Sequence, residues 1–180
     1  MEIQSLITRL SDQTYDNHRN ALLATTNIGK NLTGPDIISI LNTYTYDNHK
    51  IDCVKIIKYK FNLNSNDIPA ILGCIYTQWI KNTALGYLIH CVYIQPNQWP
   101  SILNEYTYDN HKTDAIKILN LSNFHISVLQ LEQLRPCFTY VNHFITMAKN
   151  LGFKDQDLEK YKQEEEDNKS LFLKILILKP

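Results

Sequence analysis

The chain has 180 residues, of which 44% are hydrophobic and 20% charged, and its 18 basic side chains balance its 18 acidic ones. This composition is that of one folded domain or a short array of repeats; it excludes a disordered chain, and the zero formal charge argues against a general nucleic-acid binder. With 5 Gly and 6 Pro, the chain has little material for the tight turns of an all-β fold or for glycine-rich phosphate loops, so we expect helices.

The five-residue motif Thr-Tyr-Asp-Asn-His organises the chain from its N-terminal end. It occurs unchanged three times, and a fourth copy replaces only the Asp, with Val141. The tyrosines of the four copies are spaced by 31, 62 and 32 residues, which implies a further unit near residue 77, where the motif itself is lost. A regular period in this range is typical of helical solenoids and arrays. The motif residues are Thr14, Tyr15, Asp16 and His18; Thr45, Tyr46, Asp47 and His49; Thr107, Tyr108, Asp109 and His111; and Thr139, Tyr140 and His143.

A short apolar segment precedes the motif position, at 36–44, 67–75 and 98–106, again 31 residues apart. The segment after the motif, for example 48–59, has apolar residues at the spacing of an amphipathic helix. One unit is therefore a short helix, a corner that contains Thr-Tyr, and a second helix. We predict an all-α fold in one domain, a right-handed α-solenoid of about five to six helix-turn-helix repeats of roughly 31 residues. The expected units are 1–32, 33–63, 64–94, 95–124 and 125–152, followed by a degenerate C-terminal cap, 153–180.

The residue types in the corner indicate how the second helix begins. Thr is present in all four copies and Asp in three, so we expect the threonines to be helix N-caps and the Asp to favour the positive end of the helix dipole from the first turn. In the alternative, Asp is the cap and Tyr is the hydrophobic residue before it. Tyr and His, three residues apart, share one face of the helix, and we interpret the tyrosines as packing between helices with the hydroxyl at the rim.

Beyond residue 151 the pattern weakens. Residues 153–161 have the pattern of a first helix, and 166–169 echo the motif. The apolar segment 171–178 is predicted to be a degenerate last helix, because terminal repeats of an array are commonly atypical; a strand is the alternative. The same segment, Leu171 to Leu178, is a candidate for self-association, since docking onto a second copy would bury the end of the array.

The stretches Tyr15-Asp-Asn-His-Arg19, Tyr46-Asp-Asn-His-Lys50 and Tyr108-Asp-Asn-His-Lys112 resemble a helical-repeat family, a domain of unknown function whose hairpins carry a Ser/Thr-Phe/Tyr-Asp-x-x-Arg/Lys motif. The resemblance covers about two thirds of the chain. Gln78-Trp79-Ile80 and Val141 depart from the pattern. The resemblance implies helical hairpins and no activity.

The sequence predicts no catalytic residues, no metal ligands and no cofactor. Asp and His two apart on a helix point in different directions, and equivalent side chains of successive repeats lie about 10 Å apart, too far for shared ligation. An active site needs groups that converge on one cleft, which copies spread along an array do not provide. The four cysteines, Cys53, Cys74, Cys91 and Cys137, form no CxxC pair, and we expect reduced thiols.

The unit near residue 77 departs most from the others, because it brings together several aromatic side chains. We take Tyr76, Trp79, Tyr87 and Tyr93, with Trp99 at the start of the next unit, as candidate partner-binding residues, since Trp and Tyr anchor protein interfaces. The alternative for the two tryptophans is that they fill a larger core.

The sequence therefore favours a non-enzymatic protein–protein interaction or scaffold module with a protein partner. An alternative is single-stranded nucleic-acid binding, in which the repeated tyrosines stack on bases, although no basic stripe accompanies them. An enzyme of unknown class is a remote alternative.

The N-terminus has no secretory signal and no apolar run approaches the roughly 20 residues of a membrane span, so we expect an intracellular, cytoplasmic protein. Abundant Ile, Asn, Lys and Tyr indicate an AT-rich genome, such as that of a large DNA virus or a protist; a viral protein would lie in the virion or the host cytoplasm.

Overall fold

The computed structural model describes residues 2–29 and 31–177, with side chains up to Leu171. Across these residues the chain is helical and has no strand, which confirms the all-α prediction. No helix in this part of the chain is both long and apolar enough to cross a membrane. The helices are α1 (Ile3–Ser11), α2 (Asp16–Thr25), α3 (Gly34–Leu41), α4 (Asp47–Ile57), α5 (Ile68–Gly73), α6 (Gln78–Leu88), α7 (Trp99–Leu103), α8 (Asp109–Leu119), α9 (Val128–Leu134), α10 (Val141–Asn150) and α11 (Glu159–Ile177).

The helices alternate between short and long ones. Each of the first five predicted ranges contains one short helix and one longer helix, and the longer helix begins at the motif position. This includes α6, which begins at Gln78, where the motif is lost from the sequence. The second helix of a unit therefore keeps its position even where the motif residues change.

The helices pack in two series. The short helices follow one another, α1 on α3, α3 on α5, α5 on α7 and α7 on α9; the long helices do the same from α2 through α4, α6, α8 and α10 to α11. The side chains that face inward from both series form one hydrophobic core, to which Leu10, Ile40, Ile71, Ile102 and Leu131 contribute from the short helices. Neighbouring units therefore share one core.

The predicted N-caps are wrong by one residue. The second helices begin at the Asp position, with the tyrosine before it as the extended N-cap residue; Tyr15 has φ −116° and ψ 139°. The threonine lies outside the helix, and the alternative with Asp as the cap is also wrong. The Tyr15 carbonyl accepts the first helical amides, those of His18 and Arg19. The prediction that Asp lies in the first turn is confirmed for Asp16 and its equivalents in α4 and α8.

The C-terminal unit contains one long helix and no second corner. A short 3₁₀ turn, Asp155–Leu158, leads directly into α11, and the predicted corner at 166–169 lies inside this helix. The sequence there is rich in Glu and Lys, which favour helix, and Lys169 pairs with Glu165 one turn earlier, at 3.0 Å. The helix prediction for 171–178 is confirmed as far as Ile177; Leu178 lies outside the described residues.

Consecutive units approach closely at the start of α3. A Cβ atom at Gly34 would lie 2.2 to 2.6 Å from side-chain atoms of Asp67 in the next unit. Two residues before Gly34, the backbone of Leu32 forms two hydrogen bonds with the segment that follows α4. The Leu32 amide donates to the Lys60 carbonyl (2.7 Å), and the Leu32 carbonyl accepts from the Asn62 amide (2.8 Å). Position 34 therefore requires glycine, because a Cβ atom there would overlap the Asp67 side chain.

Candidate interaction surface

The residue at the Asp position of each of the first four corners accepts hydrogen bonds from the backbone of the next corner. The Asp16 carboxylate accepts hydrogen bonds from the amides of Thr45 (3.0 Å) and Tyr46 (2.8 Å). The equivalent acceptors are Asp47 for Tyr76 and Thr77 (2.9 and 2.7 Å), Gln78 for Thr107 (2.9 Å), and Asp109 for Thr139 and Tyr140 (3.1 and 2.8 Å). An unbroken series of side chain-to-backbone bonds thus joins five corners along one edge of the molecule.

The basic residue three positions after the Asp is buried. Lys50 lies 3.4 Å from Asp47 and donates a 2.6 Å hydrogen bond to the carbonyl of Cys74, at the end of the next unit's first helix. Lys112 repeats this arrangement, 3.3 Å from Asp109 and 2.6 Å from the carbonyl of Cys137. Arg19 pairs with Asp16 but bonds the carbonyl of Leu10 in its own unit, and Lys81 bonds that of Glu105. A lysine ammonium that bonds the end of a helix is favoured by the helix dipole.

These carboxylates are ionised in the folded chain. Burial raises the pKa of Asp109, but the amides of Tyr140 and Thr139 and the ammonium of Lys112 lower it by more, so this pKa lies below its ordinary value. The pKa values of Asp16 and Asp47 are lowered in the same way. The Asp and the basic residue are therefore paired within the protein, with each other and with backbone groups.

The third unit lacks one half of this pair. Gln78 stands at the Asp position, so Lys81 has no carboxylate on its own helix. Burial lowers the pKa of Lys81, and the more distant charges of Glu105 and Asp47 only partly oppose the change. Lys81 is thus the least well compensated of the four buried cations.

The series of bonds ends at α10. Val141 takes the place of the Asp and Phe144 that of the lysine, and both are buried. The Phe144 ring packs edge-on against Tyr161 of α11, with 4.7 Å between ring centroids. Because α11 is not preceded by a corner, there are no corner amides here for a carboxylate to bind. This explains the loss of Asp at Val141 better than a helix-dipole effect does.

The motif tyrosines are exposed, so the interpretation that they pack between helices is wrong. Tyr15, Tyr46, Tyr108 and Tyr140 are 62 to 65% exposed. The tyrosines that enter the core are Tyr44 and Tyr106, two residues before the motif Tyr, at 5% and 3% exposure. The Asp side chain is directed at the next corner, and the N-cap residue beside it projects into solvent.

Histidine accompanies the exposed tyrosine, and the prediction that the two share a face is confirmed. Ring centroids of Tyr15 and His18 are 5.4 Å apart with an interplanar angle of 82°. Tyr108 with His111 and Tyr140 with His143 repeat the contact at 6.4 and 5.7 Å. Each of these three corners therefore presents a pair of steeply inclined rings.

The third corner exposes different aromatic residues at the same place. Tyr76 is 79% exposed and Trp79 63%, and Trp79 occupies the helix position that Asn17 and Asn48 hold in other units. Every one of the five corners thus exposes an aromatic side chain. We define the aromatic edge as Tyr15, Tyr46, Tyr76, Trp79, Tyr108 and Tyr140.

The other candidate binding residues lie elsewhere. Tyr87 is half-buried, with the ammonium of Lys58 4.6 Å from its ring centre. Tyr93 is exposed, but it follows the C-terminal end of α6, at the opposite end of that helix from the corner. Trp99 is completely buried and packs 6.0 Å from Phe124, so the alternative interpretation, that it fills the core, is the correct one. No partner reaches Trp99 in the folded chain.

The exposed residues of the motif are Thr, Tyr, Asn and His. The Asp and Lys residues of the motif are turned inward and paired. Among the described residues, no three His, Cys, Asp or Glu side chains are grouped closely enough to hold a metal ion. The four cysteines are free thiols, and burial raises the pKa of each. The arrangement is suited to recognition through aromatic and amide groups.

Comparison of the chain with protein-family models, with curated proteins and with solved structures gives no match. The resemblance to a helical-repeat family therefore rests on the corner motif alone.

Proposed function

We propose that this protein is a non-enzymatic interaction module, a right-handed α-solenoid of five helical hairpins closed by α11, which binds a protein partner along the aromatic edge. The solenoid is supported by the recurring packing of like helices on one another. It is also supported by the corner-to-corner bonds, which repeat from the first unit to the fifth. Extended faces of such arrays bind partners without an active site.

One observation carries the proposal: each of the five corners exposes an aromatic side chain that takes no part in the corner-to-corner hydrogen bonds. The bond from Asp16 uses the backbone amide of Tyr46, which any residue except proline supplies. The ring itself is 65% exposed. Where the motif tyrosine is lost, Tyr76 and Trp79 are exposed in its place. A row of exposed Tyr and Trp is typical of an interaction surface.

The charges at the corners favour a protein partner over a single-stranded nucleic acid. Tyrosines can stack on bases, but affinity for nucleic acid depends on exposed Lys and Arg that contact phosphates. The basic residues of the corners, Arg19, Lys50, Lys81 and Lys112, are buried and hydrogen-bonded to backbone carbonyls. The motif therefore offers no exposed cation to attract a phosphate backbone.

The interaction surface is tested by capture of partners from the native host. The variant combines Tyr46→Ala, Trp79→Ala and Tyr108→Ala, and its matched control is Tyr59→Ala, an aromatic residue 70% exposed beyond the far end of α4. We expect the triple variant to lose the captured protein while the control keeps it, with identical helical circular dichroism for both. Equal capture by the triple variant and the wild type would exclude the aromatic edge.

The repeat architecture is tested by removing one unit. Deletion of residues 64–94 joins the second unit to the fourth and brings Asp47 to the corner of Thr107 and Tyr108, which offers the same two amides. If the units are interchangeable, we expect the shortened chain to remain helical and to unfold cooperatively. A chain that does not fold after this deletion would show that the units depend on their particular neighbours.

A further inference from the structure

We infer that the aromatic edge binds an extended, uncharged, proline-rich segment in the polyproline II conformation. The inference rests on the proposed function and names the chemical class of the partner. It is carried by three properties of the corners: their spacing, the shape of their ring pairs, and their uncharged hydrogen-bond donors.

The spacing expected for corners of packed helices is close to the pitch of a polyproline II helix. Consecutive long helices pack on one another, and packed helices lie about 8–10 Å apart. The bond between Asp16 and Tyr46 shows that adjacent corners are in direct contact. A polyproline II helix advances about 3.1 Å per residue and has three residues per turn, or about 9.3 Å per turn. One face of such a ligand therefore meets one corner per turn, whereas the side chains on one face of a β-strand recur every ~6.6 Å.

The ring pairs of the first, fourth and fifth corners form notches suited to proline. Tyr15 and His18 are nearly perpendicular, at 82°, and Tyr140 and His143 are inclined at 68°. Aromatic-lined grooves of this kind accept proline rings in known modes of proline-rich peptide recognition. The compact, apolar proline ring packs against the tyrosine face, and the histidine forms the second wall of the notch.

The corners also supply hydrogen-bond donors for the ligand backbone. A polyproline II helix has no internal hydrogen bonds, so its carbonyls need outside donors. An exposed Asn side chain stands beside the tyrosine in four corners, and the third corner has Trp79, whose indole N–H is also a donor. The four residues are Asn17, Asn48, Asn110 and Asn142.

The absence of exposed charge in the motif sets the charge of the ligand. The corner carboxylates and ammonium groups are paired with each other or with backbone groups. Motif positions without an exposed carboxylate or ammonium complement an uncharged ligand, because they give no Coulombic attraction to an acidic or basic segment.

The number of corners predicts the length of the ligand. Four steps separate five corners, which at one step per polyproline II turn is about 37 Å, or roughly 13 residues. Affinity should therefore rise as the peptide is lengthened by three residues at a time and stop rising near this length.

The test is fluorescence anisotropy with the intact protein and labelled peptides of the repeat Ala-Pro-Pro, with two to six repeats. We expect affinity to increase with each repeat up to about five, and Tyr46→Ala and Tyr108→Ala each to weaken the longest peptide about tenfold. Tyr59→Ala and peptides of the repeat Ala-Gly-Ser at equal length are the matched controls; the variant should leave binding unchanged and the flexible peptides should not bind.

Two results would overturn the inference. One is the absence of binding by every proline peptide, or binding that does not respond to the tyrosine variants. The other is salt-dependent binding of oligothymidylate at the same edge, which would assign the surface to single-stranded nucleic acid. If proline peptides fail while capture of a native protein still requires Tyr46, Trp79 and Tyr108, the proposed function stands and only the ligand class is wrong.

Discussion

The carboxylate of Asp16 accepts a hydrogen bond of 2.8 Å from the backbone amide of Tyr46, a residue 30 positions further along the chain. The start of one unit's second helix is thus held by a side chain of the unit before it. Because the same contact recurs at Asp47 and Asp109, it links local helix geometry to the packing of whole units.

Replacing the inter-unit carboxylate should destabilise the fold far more than replacing an exposed one. Asp47→Ala removes the acceptor for the amides of Tyr76 and Thr77 and leaves buried Lys50 without its carboxylate partner. We expect a loss of about 2–4 kcal/mol in the free energy of unfolding, measured with urea. The control is Asp52→Ala in the same helix, which removes only an exposed ion pair and should cost less than about 0.5 kcal/mol. Equal losses in the two variants would contradict the role assigned to Asp47.

Stability should be lost in acid through the same carboxylates. The pKa values of Asp16, Asp47 and Asp109 lie below the ordinary value of 3.8 in the folded chain, so their contribution is fully present above that pH and is lost as the pH falls through the lower folded pKa values. We expect the free energy of unfolding, measured with urea, to be nearly constant from pH 7 to about pH 5 and to fall below about pH 4. Asp109→Asn should be less stable at neutral pH and lose less on acidification; an identical acid loss would exclude this carboxylate as a cause.

Restoring the motif in the third unit should stabilise the protein. Gln78→Asp places a carboxylate beside the Thr107 amide and on the same helix face as buried Lys81. We expect the free energy of unfolding at pH 7 to rise by about 1 kcal/mol, because a charge-assisted bond replaces a neutral one and the ammonium gains a counter-ion. Gln78→Asn, which has the same length as Asp but no charge, should give no gain. The increase should diminish as the pH falls below about 4, through the lowered pKa expected of the new carboxyl.

The two tryptophans should respond oppositely to truncation. Trp99→Ala opens a cavity in the core and should cost about 3–5 kcal/mol, because this side chain is fully buried. Trp79→Ala removes a ring that is 63% exposed, and we expect a change within about 0.5 kcal/mol. Thermal unfolding followed by circular dichroism measures both. A strongly destabilised Trp79→Ala protein would show that this ring serves the fold.

Glycine is required at position 34 and replaceable at position 86. A Cβ at Gly34 would overlap the side chain of Asp67, which is fixed by a 3.0 Å bond from the Asn64 amide, so we expect Gly34→Ala to cost about 1–3 kcal/mol. At Gly86, within α6, a Cβ meets no atom within 4 Å. Gly86→Ala should therefore stabilise by roughly 0.5–1 kcal/mol through helix propensity. Chemical unfolding of the two variants side by side checks the difference in sign.

The sequence period was sufficient to predict helices and the position of α6, because a repeat of about 31 residues leaves few other folds. It was insufficient to show which tyrosine of a corner is buried. Tyr44 and Tyr46 are the same residue type. Placing the N-cap at Thr45 rather than at Tyr46 rotates the following side chains by about 100°, the turn per helical residue. Only the contact between Asp16 and the next corner fixes that register.

The C-terminal end was also mispredicted for an identifiable reason. The similarity of 166–169 to the motif suggested a further corner, but the segment lies within α11. Each corner from the second to the fifth is bound by an Asp or Gln side chain of the unit before it, and Val141 supplies no such acceptor. Val141, about 25 residues before 166–169, therefore already indicated that no further corner follows.

The forward direction of the corner bonds also bears on how such a chain can grow. If the units are interchangeable, a tandem duplication of one 31-residue block supplies both an acceptor for the next corner and the amides that the preceding unit binds, so we expect the new copy to fit between existing neighbours. After α10 we expect no such fit, because Val141 and Phe144 present a buried apolar surface on which Tyr161 packs. We therefore expect lengthening by duplication only on the N-terminal side of the fifth unit, with the C-terminal end unchanged.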